Sequence, residues 1–159
     1  MKTKIYILLF LLSSTSAFAG TATSEREYSS NMSYEDCINK IYFDPEVLYE
    51  AANGKILKRD KDDIILEHTS VLGKSHYKAR ESRTLTKKEA VFKTHMYQKI
   101  DGTLKLQTTI IKVKNIKEKA QITIIISVSV DHIFATNKSI KDQIDHDIQK
   151  ILYCLESDY

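Results

Sequence analysis

The sequence predicts an α+β domain: an antiparallel run of strands closed by one long C-terminal helix. Two patterns carry that prediction. Ile122, Ile124, Ile126, Val128 and Val130 point one way, while Thr123, Ser127, Ser129 and Asp131 point the other. This is a half-buried antiparallel strand with its apolar face on a core. Ile140, Ile144, Ile148, Ile151, Leu152 and Leu155 then recur at helical spacing, within a stripe about 120° wide.

The N-terminus reads as an export signal. Lys2 and Lys4 precede the apolar run Ile5–Leu12, and Ala17-Phe18-Ala19 supplies the small-x-small cleavage pattern before Gly20. The run is shorter than the roughly 20 residues that span a bilayer. Residues 1–19 are therefore expected to be removed. The mature chain should be exported, to a bacterial periplasm or secreted, with no transmembrane segment. Removing Lys2 and Lys4 lowers the 24 basic residues to 22, nearly level with the 21 acidic ones, so no basic stripe suggests nucleic acid.

An oxidising compartment gives meaning to the two cysteines, Cys37 and Cys154. Paired, they would tie the start of the domain to its end, worth roughly 4–5 kcal/mol in the chain-entropy model. The alternative is two free buried thiols. Two cysteines alone make no typical structural zinc site, and neither metal nor cofactor is expected.

Along the chain, the small polar stretch 20–33 reads as a flexible leader, leaving 34–159 as one domain. Tyr34–Phe43 fits either a helix or one strand face. Asp44-Pro45 opens a short helix striped by Val47, Leu48, Ala51 and Ala52, and Asn53-Gly54 ends it. Charged residues 58–63 form a turn, and Ile64, Leu66 and His68 alternate after it. Strands follow over Ser75–Leu85, Val91–Gln98 and Leu104–Val113. Asp101-Gly102 is a hairpin signal, and a phase slip at Ile110-Ile111 suggests a bulge. Ser139 is the expected N-cap of the last helix.

The chain contains no nucleophile elbow, phosphate loop, zinc-protease motif or C-x-x-C pair. An enzyme is therefore the least favoured class. His68, His76 and His95 read as a solvated sheet face. Asp145-His146-Asp147 reads as the polar face of the last helix, since adjacent helical residues splay apart. Glu81 and Arg83 share a strand face and could line a pocket.

The order of elements resembles the helix-grip fold of the START-like, or polyketide-cyclase-like (SRPBCC), superfamily. Residues 38–53, INKIYFDPEVLYEAAN, look like its first strand and helix. Residues 81–110 look like its central hairpins, and ITIIISVSV with SIKDQIDHDIQKILYCL looks like its last strand and closing helix. The short connection after the first strand departs from the two helices many members carry, and the cysteine pair is extra.

The resemblance implies a curved sheet gripping the final helix around an apolar cavity. No catalytic residue carries over. The expected cavity wall is Ile124, Ile126, Val128, Thr94, Thr108, Ile144 and Ile148, with Arg83 as a further polar group. Two functional classes stay open: holding an apolar small molecule or lipid, as the resemblance implies, or, apart from it, acting on a protein partner as a periplasmic inhibitor or immunity-type protein.

Overall fold

The computed structural model describes residues 19–43, 45–70 and 73–157. Residues 1–18, which hold most of the expected signal, and Asp44, the expected cap, lie outside the described residues. The elements run β1 (Ala19–Ser33), α1 (Tyr34–Phe43), α2 (Pro45–Ala51), β2 (Gly54–Asp60), β3 (Asp63–Ser70) and β4 (Gly73–Leu85). They continue through β5 (Glu89–Asp101), β6 (Leu104–Ile116), β7 (Lys119–Asp131) and α3 (Asn137–Glu156). All seven strands form one antiparallel sheet in the order β1-β7-β6-β5-β4-β3-β2. Four of its six strand pairs carry a register irregularity, the kind of defect that bends a sheet.

The first correction concerns residues 20–33, which are not a leader. They form most of β1, paired with β7 from Ala19↔Asp131 to Ser33↔Lys119. Gly20, Ala22 and Ser24 share the inner face, and their smallness lets α3 come close. A Cβ on Gly20 would lie 2.5 Å from Ile140 Cδ1. On the outer face Thr21 donates to Ser129 and Thr23 to Ser127, side-chain pairs that hold an edge strand without an apolar stripe.

Tyr34–Phe43 is a helix, with Tyr34, Cys37 and Ile41 on its buried face. Residues 38–53 are thus parts of two helices rather than a strand and a helix, and the two-helix connection that seemed shortened is present. β2 was not read from the sequence: it is an edge strand with mostly exposed residues.

The bulge also moves. The β6–β7 register shifts between Leu104 and Leu106, while Ile110 and Ile111 pair regularly with Ile125 and Ile124. Leu104 is buried and Leu106 exposed; beyond the bulge Gln107, Thr109, Ile111 and Val113 face inward. The β6–β7 turn places Lys117 and Glu118 at φ 52° and 69°, the backbone of a two-residue primed hairpin. Asn115 Oδ1 accepts from Glu118 N at 2.9 Å.

The buried stripe of α3 is the expected one. Its cap is Thr136, not Ser139. Thr136 Oγ1 accepts from Ser139 N at 3.0 Å, and Ser139 Oγ accepts from Thr136 N at 3.1 Å, a reciprocal box that starts the helix three residues earlier. α3 packs chiefly on β1 and also touches α2, β7 and α1.

The core is accordingly split in two. The larger cluster joins α1 and α3 to β5–β7; the smaller holds Ile64, Leu66, Tyr77, Ala79, Met96 and Leu104 on β3–β6.

The cysteines are free, so the expected bridge is corrected to the thiol alternative. Cys37 is fully buried in the larger cluster, whereas Cys154 lies half-exposed outside the α3 stripe. Burial pushes the Cys37 thiol up to about 12. Iodoacetamide should therefore label Cys154 in the native protein and Cys37 only after denaturation. Mass mapping that finds a linked pair, or rapid native labelling of Cys37, would contradict this packing.

Candidate functional site

Because α3 covers β1 and β7, the inner faces of β3–β5 are left looking into a gap between the two core clusters. A cavity of about 70 Å³ occupies it. Its apolar walls come from both sides: Ile41, Phe92, Ile111 and Ile151 from the larger cluster, Tyr77 and Met96 from the smaller.

One wall is polar. Tyr49 on α2 donates its hydroxyl to Glu81 Oε1 at 3.1 Å and lies 2.7 Å from Thr94 Oγ1. Burial, followed by the charge of Glu81, pushes the Tyr49 phenol up, so it stays a protonated donor. Glu81 reaches this place because it is in phase with buried Tyr77 and Ala79 on β4. Its Oε2 lies 3.0 Å from Arg59 Nη2 and 3.8 Å from Arg83 Nη2. Neither arginine gives that atom an aligned hydrogen bond, and it is buried. The guanidiniums balance its charge. Arg83 also lies over the Tyr42 ring at 4.9 Å.

A second cavity of about 40 Å³ lies under the first half of α3, lined by Ile126, Val128, Val130, Ile140 and Ile144 among others. His68 on β3 and Gln107 on β6 line both cavities. His68 Nε2 faces Asp147 Oδ2 at 3.9 Å. Asp147 Oδ1 accepts from Gln143 Nε2 at 2.8 Å and Asn53 Nδ2 at 3.1 Å. His68 and Asp147 are buried, which corrects their reading as solvated surface. The sequence did carry the signal: His68 continues the Ile64–Leu66 phase, and Asp147 stands seven residues after Ile140, on the same helix face. His76 and His95 line neither cavity; His76 is held between Asp101 and Glu67, and His95 meets Thr108.

Of the expected wall residues, Thr94 lines the first cavity, and Ile126, Val128 and Ile144 line the second. Ile124 and Ile148 are fully buried core and touch neither space. Thr108 is on the outer face, 2.8 Å from His95 Nδ1; the bulge near Lys105 puts Thr109 inward in its place. Arg83 lines the first cavity as expected. Tyr49, His68, Gln107 and Asp147 complete the site and were not foreseen. Among the described residues no cluster has the makeup of a metal site, and no helix is long and apolar enough to cross a membrane.

No family profile matches the chain, and no curated protein matches its sequence. Solved structures do. A START superfamily protein from Mycobacterium smegmatis superposes with a TM-score of 0.62 at 13% identity, over 84% of this chain and 94% of that one. The fold is START-like. Ara h 8.0201 superposes on it at 0.57 and 10% identity, over 86% and 96% of the two chains. Protein CV1439 from Chromobacterium violaceum does so at 0.57 and 12%, over 86% and 98%. At these identities the likeness concerns the START-like backbone alone: a curved antiparallel sheet around a C-terminal helix.

Proposed function

We propose that this chain is an exported binding protein that holds a compact apolar molecule bearing one polar group. The observation that carries the reading is the first cavity: apolar on most sides, with Tyr49, Glu81 and Thr94 on its polar wall. Concave, mostly apolar spaces with a few placed polar groups are the usual form of small-molecule sites. The volume, about 70 Å³, is small beside the ~300–1,000 Å³ of drug-sized sites, so the occupant is a small ring system or short chain rather than a whole lipid. Export rests on the signal pattern of residues 1–19. Cleavage before Gly20 keeps β1 paired from Gly20↔Val130 onward, so processing and fold are compatible.

Naphthol, a fluorescent two-ring body with one hydroxyl, tests the reading. The native protein should bind it saturably at one site. Thr109→Phe, which fills the cavity, should weaken binding by about tenfold or more while leaving the melting temperature nearly unchanged. Intact mass of the protein recovered from its native host should lack residues 1–19. Naphthol that binds only as the protein unfolds would remove the ligand reading and move the protein-partner reading to first place. Retention of residues 1–19 would remove export.

A further inference from the structure

We propose that His68 and Gln107 form a polar partition that sets the length of ligand the site accepts. The inference rests on the ligand-holding reading above and adds its selectivity. The two cavities lie in one gap under α3, yet they are separate spaces, and the side chains common to both linings are His68 and Gln107. The partition is braced on both sides. His68 projects from β3 toward Asp147 on α3, and Asp147 is held by Gln143 of its own helix and Asn53 after α2. Gln107 accepts from the buried Tyr77 hydroxyl at 3.4 Å.

This polar bar spans the interior from sheet to helix, between apolar surfaces. A purely structural cross-brace would not need to stand where two cavities meet. An alkyl chain passing from the first cavity to the second would displace the bar and strand its buried polar groups. The first cavity therefore ends at the bar and suits short molecules, and a chain lying in it extends into the second only if the bar is removed.

Chain-length selectivity reads this out. In a continuous tunnel, each added buried methylene tightens binding about fourfold. Displacement of bound naphthol by hexanol and dodecanol should instead show little or no gain for dodecanol in the native protein. His68→Ala combined with Gln107→Ala should give dodecanol a gain of about tenfold or more, with hexanol almost unchanged. His68→Phe keeps the bar bulky and should keep the native pattern. Gln107→Ala alone removes one long hydrogen bond; it serves if the double variant melts early, and should show part of the gain. Steep chain-length dependence in the native protein, or no change in ranking in any opened variant, would overturn the partition. If the native protein binds no probe and the opened variant does, the ligand reading fails while the partition stands. If neither binds, both fall.

Discussion

Replacing Ile148 by alanine is expected to destabilise the protein by about 2–5 kcal/mol. Ile148 is fully buried in the larger core cluster and lines no cavity, so the atoms around it are in contact on all sides and cannot collapse into existing space. Ile144, one turn earlier, borders the second cavity. Its neighbours already lack partners on one side, so Ile144→Ala should cost less. Urea unfolding of the two variants measures the difference. Equal losses, or a smaller loss at Ile148, would mean that the division between packed core and open cavity along α3 is wrong.

Gly102→Ala should also be strongly destabilising, by about 1–3 kcal/mol from backbone strain alone, with steric cost added. Gly102 adopts φ +87°, and a Cβ there would lie 2.4 Å from the Lys74 carbonyl oxygen and from Ser75 Oγ. Ser75 Oγ is not free to swing, because it accepts from Thr103 N and Leu104 N at 3.1 and 3.0 Å. Gly73 provides the control. It has φ +107° but nothing among the described residues within 4 Å of its ideal Cβ, so Gly73→Ala should show the strain without the clash. Thermal melts of both variants should rank Gly102→Ala as clearly the worse.

The parts of the fold that were legible in the sequence are those where one face is apolar and the other polar. β7 and α3 are of that kind: Ile122, Ile124, Ile126 and Val130 on the strand and the six aliphatics of the helix stripe are buried as expected. β1 was missed because its inner face carries Gly20, Ala22 and Ser24. Small residues under a helix give no hydrophobic alternation, although Thr21 and Thr23 between them favour a strand. Thr108 was assigned inward because a bulge can absorb a phase slip anywhere along a strand. Residue order alone did not place it near Lys105 rather than at Ile110.

The site was less legible than the fold for a related reason. Its polar members, His68, Glu81 and Asp147, occupy core phases of their elements, but a charge in a core phase is ordinarily a surface residue at a frayed edge. Only the facing elements, α2 against β4 and α3 against β3, show that each is enclosed. Tyr49 had no partner in sequence at all; its hydroxyl acquires meaning from Glu81 and Thr94, 32 and 45 positions away.

The pairing of β1 with β7 has a consequence for the order in which the molecule can be made. Thr21 and Ser129, which meet across that pair, are 108 positions apart. While the chain emerges from a ribosome, β2–β6 can zip as successive hairpins, but β1 has no partner until β7 has been synthesised, and no helix to cover it until α3 follows. The first strand made is among the last to be docked. Contacts of such long range slow the final closure, and until then the N-terminal segment stays extended and accessible to whatever cellular machinery handles nascent chains.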